Sequence, residues 1–339
     1  MKSMYRTICF FLTAIAASLP ACAASTNSAS MDLTVINQIP GNDSHFDHAA
    51  IDPLARRLYV ARDNGVMSID LDTLHVTATL IPGHHVNMPL PLPNGLLLST
   101  NEATNTATLA VAQTGKVIAE IPTGAAPDAA VYDPTTGLVF VMDADAGDAA
   151  VIDPKTASAQ GRIPIGGKLE FAVADGAGHI YINANDKNDV AVLDTVRRKV
   201  IARYPLPGCN KPSGLGIDPA NHLLLSVCAN RKAVALDDLN GRVVATLDID
   251  RIPDDAIFDP KRKVFFVPCA RDGTLIAIAE TNGTLVVVSK IPTAIGAHTG
   301  ALDPKTGRLY LPAADFGITL TGFKQKAGTF RILVLGSKP

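Results

Sequence analysis

Short apolar runs alternate with polar turns along most of the chain, and no stretch carries the 3.6-residue spacing of a long amphipathic helix. The clearest instance is PDAAVYDPTTGLVFVMD, residues 127–143. An apolar run, AAVY, meets an Asp-Pro step, and a second apolar run, LVFV, follows. Pro134 presets the φ angle wanted at the second position of a β-turn, and Asp133 can accept hydrogen bonds from the turn amides. Two antiparallel strands of about four or five residues each are predicted there.

The same pattern recurs. AAIDPLARRLYVA begins at Ala49, LGIDPANHLLLSV at Leu215, AIFDPKRKVFFVP at Ala256 and GALDPKTGRLYLP at Gly300. Two looser copies fill the gaps: PLPLPNGLLLST from Pro89, and FAVADGAGHIYIN from Phe171, where Gly176 takes the proline's place. Each of the seven copies is preceded by an apolar-Pro step: Ile39-Pro40, Ile81-Pro82, Ile121-Pro122, Ile163-Pro164, Tyr204-Pro205, Ile252-Pro253 and Ile291-Pro292. Segments such as MSIDLDTLHVTATL (67–80), AAVIDPKTASAQGR (149–162) and AVALDDLNGRVVAT (233–246) supply a third and fourth strand around a tight turn. One unit is thus four strands in about 40–44 residues, the period of a propeller blade. The predicted fold is all-β: a single seven-bladed β-propeller over residues 32–339, with four antiparallel strands per blade.

Two segments need separate placement. MDLTVINQ (31–38) is a strand with no blade in front of it, and the last blade lacks a fourth strand after TFRILVLG (329–336). The N-terminal strand is therefore expected to close blade seven, tying the ends of the ring. Between Ala313 and Gly328 the connection is long for a propeller, and a surface loop over one face is expected.

Composition narrows the classes of function. Charge is balanced, with 30 Lys and Arg against 32 Asp and Glu, Trp is absent and aromatics make up 5%. A nucleic-acid groove needs a basic stripe with aromatic stacking platforms, and neither is visible. Residues 1–23 carry the marks of a secretory signal: Lys2 and Arg6, then the apolar core ICFFLTAIAASL (8–19), then small residues. That core is too short to span a bilayer. Ala21-Cys22-Ala23 fits cleavage after Ala23, which leaves residues 24–31 as a flexible leader and a periplasmic or secreted chain without a transmembrane segment. The alternative is a lipoprotein anchored through an acylated Cys22. A monomer is the expected state. In an oxidising compartment a Cys209–Cys228 disulfide is geometrically sensible, because the loop into blade five and the end of its second strand share one face. Cys269 is left over, a small buried residue without chemistry of its own.

With the repeats laid out, the chain resembles the bacterial YncE-like, YVTN-repeat β-propeller family. LYVAR (58–62) stands at the YVTN-type second strand, and GGKLEFAVADGAGHIYIN (166–183), ALDPKTGRLYLPAADFG (301–317) and CNKPSGLGIDP (209–219) are close to that family's wording. The resemblance covers the mature chain and implies the fold and export. It implies little about activity, since such propellers serve as binding platforms or carry enzymes.

In a propeller the innermost strands line a central channel, and the loops before them open at one mouth. Five residues before each turn Asp stand Asp47, Asp128, Glu170, Ser213, Asp254 and His298. Blade two has no turn Asp, and its loop GHHVNM offers His84, His85 and Asn87; His45, His48 and Asp255 lie next to the counted positions. Asp47, Asp128, Glu170 and Asp254 with His85 fit the family's pattern, whereas His48 and His298 depart from it. Converging carboxylates and imidazoles make the mouth a candidate ligand site, formed by Asp47, His48, His85, Asp128, Glu170, Asp254 and His298. A divalent metal is the candidate cofactor, with Asp47, His48, His85, Glu170 and His298 as ligands. Alternatively, these are solvated residues that satisfy strand-end amides. The sequence carries no HExxH, GxSxG, P-loop or, after residue 23, CxxC motif. The expected function is a binding platform for an unidentified protein, small molecule or metal; the alternative is a metal-assisted lactonase or lyase-type enzyme using the same groups.

Overall fold

The computed structural model describes residues 32–319 and 322–337. Residues 1–31, which include the expected secretory signal 1–23 and leader 24–31, lie outside them. Seven four-stranded antiparallel sheets form the seven blades. Six are sequential, beginning with the innermost strands Phe46–Asp52, Val86–Leu92, Pro127–Asp133, Leu169–Ala174, Pro212–Asp218 and Ile257–Asp259. In the seventh, the order from the centre outward is Ala301–Leu302, Leu309–Ala313, Arg331–Ser337 and then Leu33–Pro40. The first strand of the chain pairs with the last, Leu33 opposite Ser337 and Pro40 opposite Arg331.

The Asp-Pro turns form as their chemistry dictates. Asp52 accepts from the amides of Leu54 and Ala55, Asp133 from Thr135 and Thr136, and Asp259 from Lys261 and Arg262. Asp70, Asp153 and Asp194 cap the turns between third and fourth strands in the same way. Apolar side chains pack between the faces of neighbouring blades. Phe140, Met142 and Val151 of blade three meet Leu169, Ile180 and Ile182 of blade four, for example. Each such side chain, fully buried, contributes roughly 1.5–3 kcal/mol.

The isoleucines before the prolines belong to that packing: Ile39, Ile81, Ile121, Ile163 and Ile291 are buried near the ends of outer strands. Ile252 departs from the expected pattern. It is exposed, with φ at +55°, because the outer strand of blade five ends at Asp248 and Ile249 takes the buried place. The connection after Ala313 also differs from the expected loop. Phe316–Thr319 pairs with Gly322–Gln325 as an extra hairpin, so its backbone groups are satisfied by pairing.

Candidate functional site

Five inner strands share one irregularity. Their pairing with the second strand shifts between Phe46 and Ala49, Val86 and Pro89, Pro127 and Ala130, Leu169 and Ala172, and Pro212 and Leu215. A bulge inserts an unpaired residue and re-aims side chains. Here it falls on positions 47–48, 87–88, 128–129, 170–171 and 213–214, which are the mouth residues. In blades six and seven the inner strand starts later, and residues 254–255 and 298–299 precede it. The neighbouring blade holds these backbones in place. The Thr299 hydroxyl donates to the Asp47 carbonyl at 2.8 Å, and that of Thr100 to the Asp128 carbonyl at 2.8 Å. The Asn183 amide donates to the carbonyls of Ser213 and Gly214.

Register settles the blade-two member. Val86 pairs with Asn101 as Phe46 pairs with Arg62, so Asn87, not His85, is the counterpart of Asp47. His85 stands one position outward, with φ at +53°, stacked on His45 at 4.4 Å. Its Nδ1 is 3.0 Å from Asp63, and its Nε2 is 3.7 Å from Glu102. Asp63 and Glu102 had no place in the sequence count, because each follows the end of a second strand.

Together these residues enclose a cavity of about 270 Å³ lined by His45, Asp47, His85, Asn87, Glu102, Asp128, Asp145, Lys168 and Glu170. Five carboxylates face one amine, and Lys168 is already paired with Asp145 at 3.6 Å. Among the described residues the carboxylates of Asp47, Asp128 and Glu170 accept no hydrogen bond. Asp255, by contrast, accepts from the amides of Ala256 (2.8 Å) and Gly300 (3.3 Å), the structural role of an acid at a strand start. His48 and His298 turn toward Asp47 at 3.7 and 3.9 Å, and the His48 ring leans on Phe171 of blade four.

Crowding shifts the protonation of the ring. Burial, then the carboxylates of Asp128 and Asp254, hold Asp47 well above the usual carboxylate range. Burial and Asp254 push Asp128 up to about 7, and burial with Asp128 pushes Glu170 up to about 8. Asp254 is raised chiefly by burial, and Asp255 reaches about 7 for the same reason. Burial, helped by His298, pulls His48 down to about 3, and His45 is lowered by burial and His85. The imidazole of His48 is therefore neutral, with a lone pair available at physiological pH.

Of the residues expected at the mouth, the structure groups Asp47, His48 and Asp128 on one side, and Asp47, Asp254 and His298 on the other. Glu170 lines the cavity but joins neither group, and His85 stays at the rim. Away from the channel, Cys209 and Cys228 form a disulfide with Cα atoms 5.5 Å apart. Cys269 is buried, and burial pushes its thiol up to about 12, which makes it inert.

No family model matches the chain, and no curated protein matches it in sequence. Solved structures do match in fold. A chain of a mitotic checkpoint complex superposes with a TM-score of 0.72 at 14% identity, covering 98% of both chains. A chain of the Kuenenia stuttgartiensis hydrazine synthase gives 0.67 at 15% identity, covering 85% of this chain and 97% of that one. At such identity the likeness shows the propeller fold alone.

Proposed function

We propose that this protein is an exported binding platform of the YncE-like type whose channel mouth takes up a cationic guest. The observation that carries the proposal is the balance of the cavity lining: five carboxylates against one amine that is already paired. Acids that served only to cap strand ends would accept backbone amides as Asp255 does, and Asp47, Asp128 and Glu170 accept none. A cation supplies what such a ring lacks, because like charges a few ångströms apart destabilise one another. Export is supported by the pattern of residues 1–23 and by the Cys209–Cys228 disulfide, which belongs to an oxidising compartment. The mass of the mature chain tests it: a first residue of Ala24 fits cleavage after Ala23, and an acylated Cys22 fits a lipoprotein.

Titration calorimetry with putrescine and with CaCl2 at low salt tests the mouth. Binding is expected to weaken about tenfold or more in the double variant Asp128→Asn, Glu170→Gln, and to fade with added NaCl. Binding by neither probe nor by ZnCl2, or binding indifferent to the double variant, overturns the proposal. A second function, a metal-assisted lactonase or lyase-type activity, is favoured by Asp128 and Glu170, whose carboxyls at about 7 and about 8 suit proton transfer near neutrality. Lactone or ester turnover that disappears in Glu170→Gln would establish it. A protein guest is supported only by fold, since one matching propeller comes from a mitotic checkpoint complex.

A further inference from the structure

Asp47 is common to two groups of side chains with metal-ligating atoms. His48 and Asp128 stand on one side of it and Asp254 and His298 on the other, and within each group the donor atoms lie within 4.8 Å of one another. The same oxygen of Asp47, Oδ1, is 3.7 Å from His48 Nε2 and 3.9 Å from His298 Nε2. Two donors on one zinc-class ion, each at about 2.1 Å, stand about 3.4 Å apart at the tetrahedral angle. A contraction of about half an ångström brings either pair to that spacing.

The imidazoles distinguish this arrangement from a plain acidic ring. The His48 side chain is only 9% exposed, and among the described residues it makes no hydrogen bond; the Asp47 oxygen at 3.7 Å is beyond that reach. A side chain nine-tenths buried whose imidazole makes no hydrogen bond and stands within 4.8 Å of two carboxylates has the surroundings of a ligand. His298 is oriented independently. Its Nδ1 lies 2.9 Å from the Gly296 carbonyl, so Nδ1 carries the hydrogen and the Nε2 lone pair is turned toward Asp47. Metal-bound histidines are held by this kind of second partner.

We propose that the channel mouth is a divalent transition-metal centre in which Asp47 is the shared ligand, His48 and His298 supply nitrogen donors, and Asp128 and Asp254 supply the outer carboxylates. The proposal rests on the cation-binding function of the mouth and names the cation. Mixed imidazole and carboxylate donors favour zinc, cobalt or manganese over calcium and magnesium, which take all-oxygen shells.

The test uses the mature chain without a histidine tag, stripped with EDTA and titrated with ZnCl2 and CoCl2. Elemental mass spectrometry after gel filtration is expected to find at least one equivalent of zinc. Asp47→Asn and His298→Ala should each weaken binding about tenfold or more, and His298→Ala should alter the visible absorption of bound cobalt. His222→Ala, on the opposite face of the disc, should leave affinity unchanged. Circular dichroism and melting of each variant separate lost ligands from lost fold, and His298→Gln offers a gentler substitution should His298→Ala not fold. Failure to retain zinc or cobalt, or affinity unmoved in folded Asp47→Asn and His298→Gln, overturns the metal centre. Putrescine titrated in parallel separates the two proposals. If it binds through Asp128 and Glu170 while zinc does not, the metal centre falls and the cationic platform stands; if neither binds, both fall.

Discussion

At the residue where the second strand of each blade ends, the side chain changes from blade to blade: Arg62, Asn101, Asp143, Ala184, Cys228, Cys269 and Ala313. Each polar one but Asp143 finds a partner. Arg62 donates to the Asn42 and His45 carbonyls and lies over the Phe330 ring, and Asn101 donates to Thr106 and Thr108. Asp143 is fully buried, and no donor completes a well-aligned hydrogen bond to either carboxylate oxygen, although the nearby Gly124 amide works to lower its pKa. The nearest cation, Arg162, stays 3.9 Å away because it is committed to Asp148. Burial, with the Asp148 carboxylate beside it, pushes Asp143 up to about 7. In the unfolded chain an aspartate titrates at about 3.9. Between those values the folded state binds the extra proton, so stability falls as pH rises from about 4 to about 7. Asp143→Asn removes the cost. It should leave melting nearly unchanged at pH 4 and raise stability at pH 8 by about 2–4 kcal/mol, read as a flatter profile of melting temperature against pH. A variant less stable than the wild type at pH 8 would mean that the ionised carboxylate is held by something else.

Among the elements, the bulged inner strand is the unit that builds the mouth, and its neighbours leave it little room. A Cβ on Gly214 would lie 2.5 Å from the Asp255 Cα and 2.7 Å from the Asp254 carbonyl oxygen. Gly214→Ala must push the 254–255 segment outward. The expected cost is about 1–3 kcal/mol in denaturant melts, together with weaker cation binding, since Asp254 moves with that segment. Unchanged binding in the folded variant would place Asp254 outside the site. The turns and the bulges differ in how far the sequence reveals them. Asp133-Pro134 announces its turn because its chemistry is local. A bulge leaves no such mark: Asp47 and His48 both serve the mouth although they are adjacent, which strict strand alternation forbids. Counting back from the turn Asp still finds Asp47, Asp128 and Glu170, because spacing within a blade is preserved. Where blade two lacks that Asp, the histidines of its loop draw attention and the ring member is the unremarkable Asn87. The hairpin of Phe316–Thr319 with Gly322–Gln325 is equally hidden, since strands of four residues each are too short to establish a period of their own.

For the whole molecule, the decisive contact joins the two ends of the described chain. Leu33–Pro40 covers the edge of Arg331–Ser337, so every blade has four strands and the ring closes on itself. Deleting residues 32–40 would expose Arg331–Ser337 as an unpaired edge and uncover Leu333 and Leu335 on the inter-blade face. Such a truncation should melt at least about 10 °C lower and associate on gel filtration, the signature of an open edge. A monomer of unaltered melting temperature would show that the ring holds without its closing strand. The same pairing also decides how the disc is presented. Pro40 enters the mouth side, so Leu33 and its partner Ser337 sit seven residues away at the opposite face. A probe fastened at Leu33 or at Ser337 therefore grips the back of the disc and leaves the acidic opening turned toward the surrounding fluid.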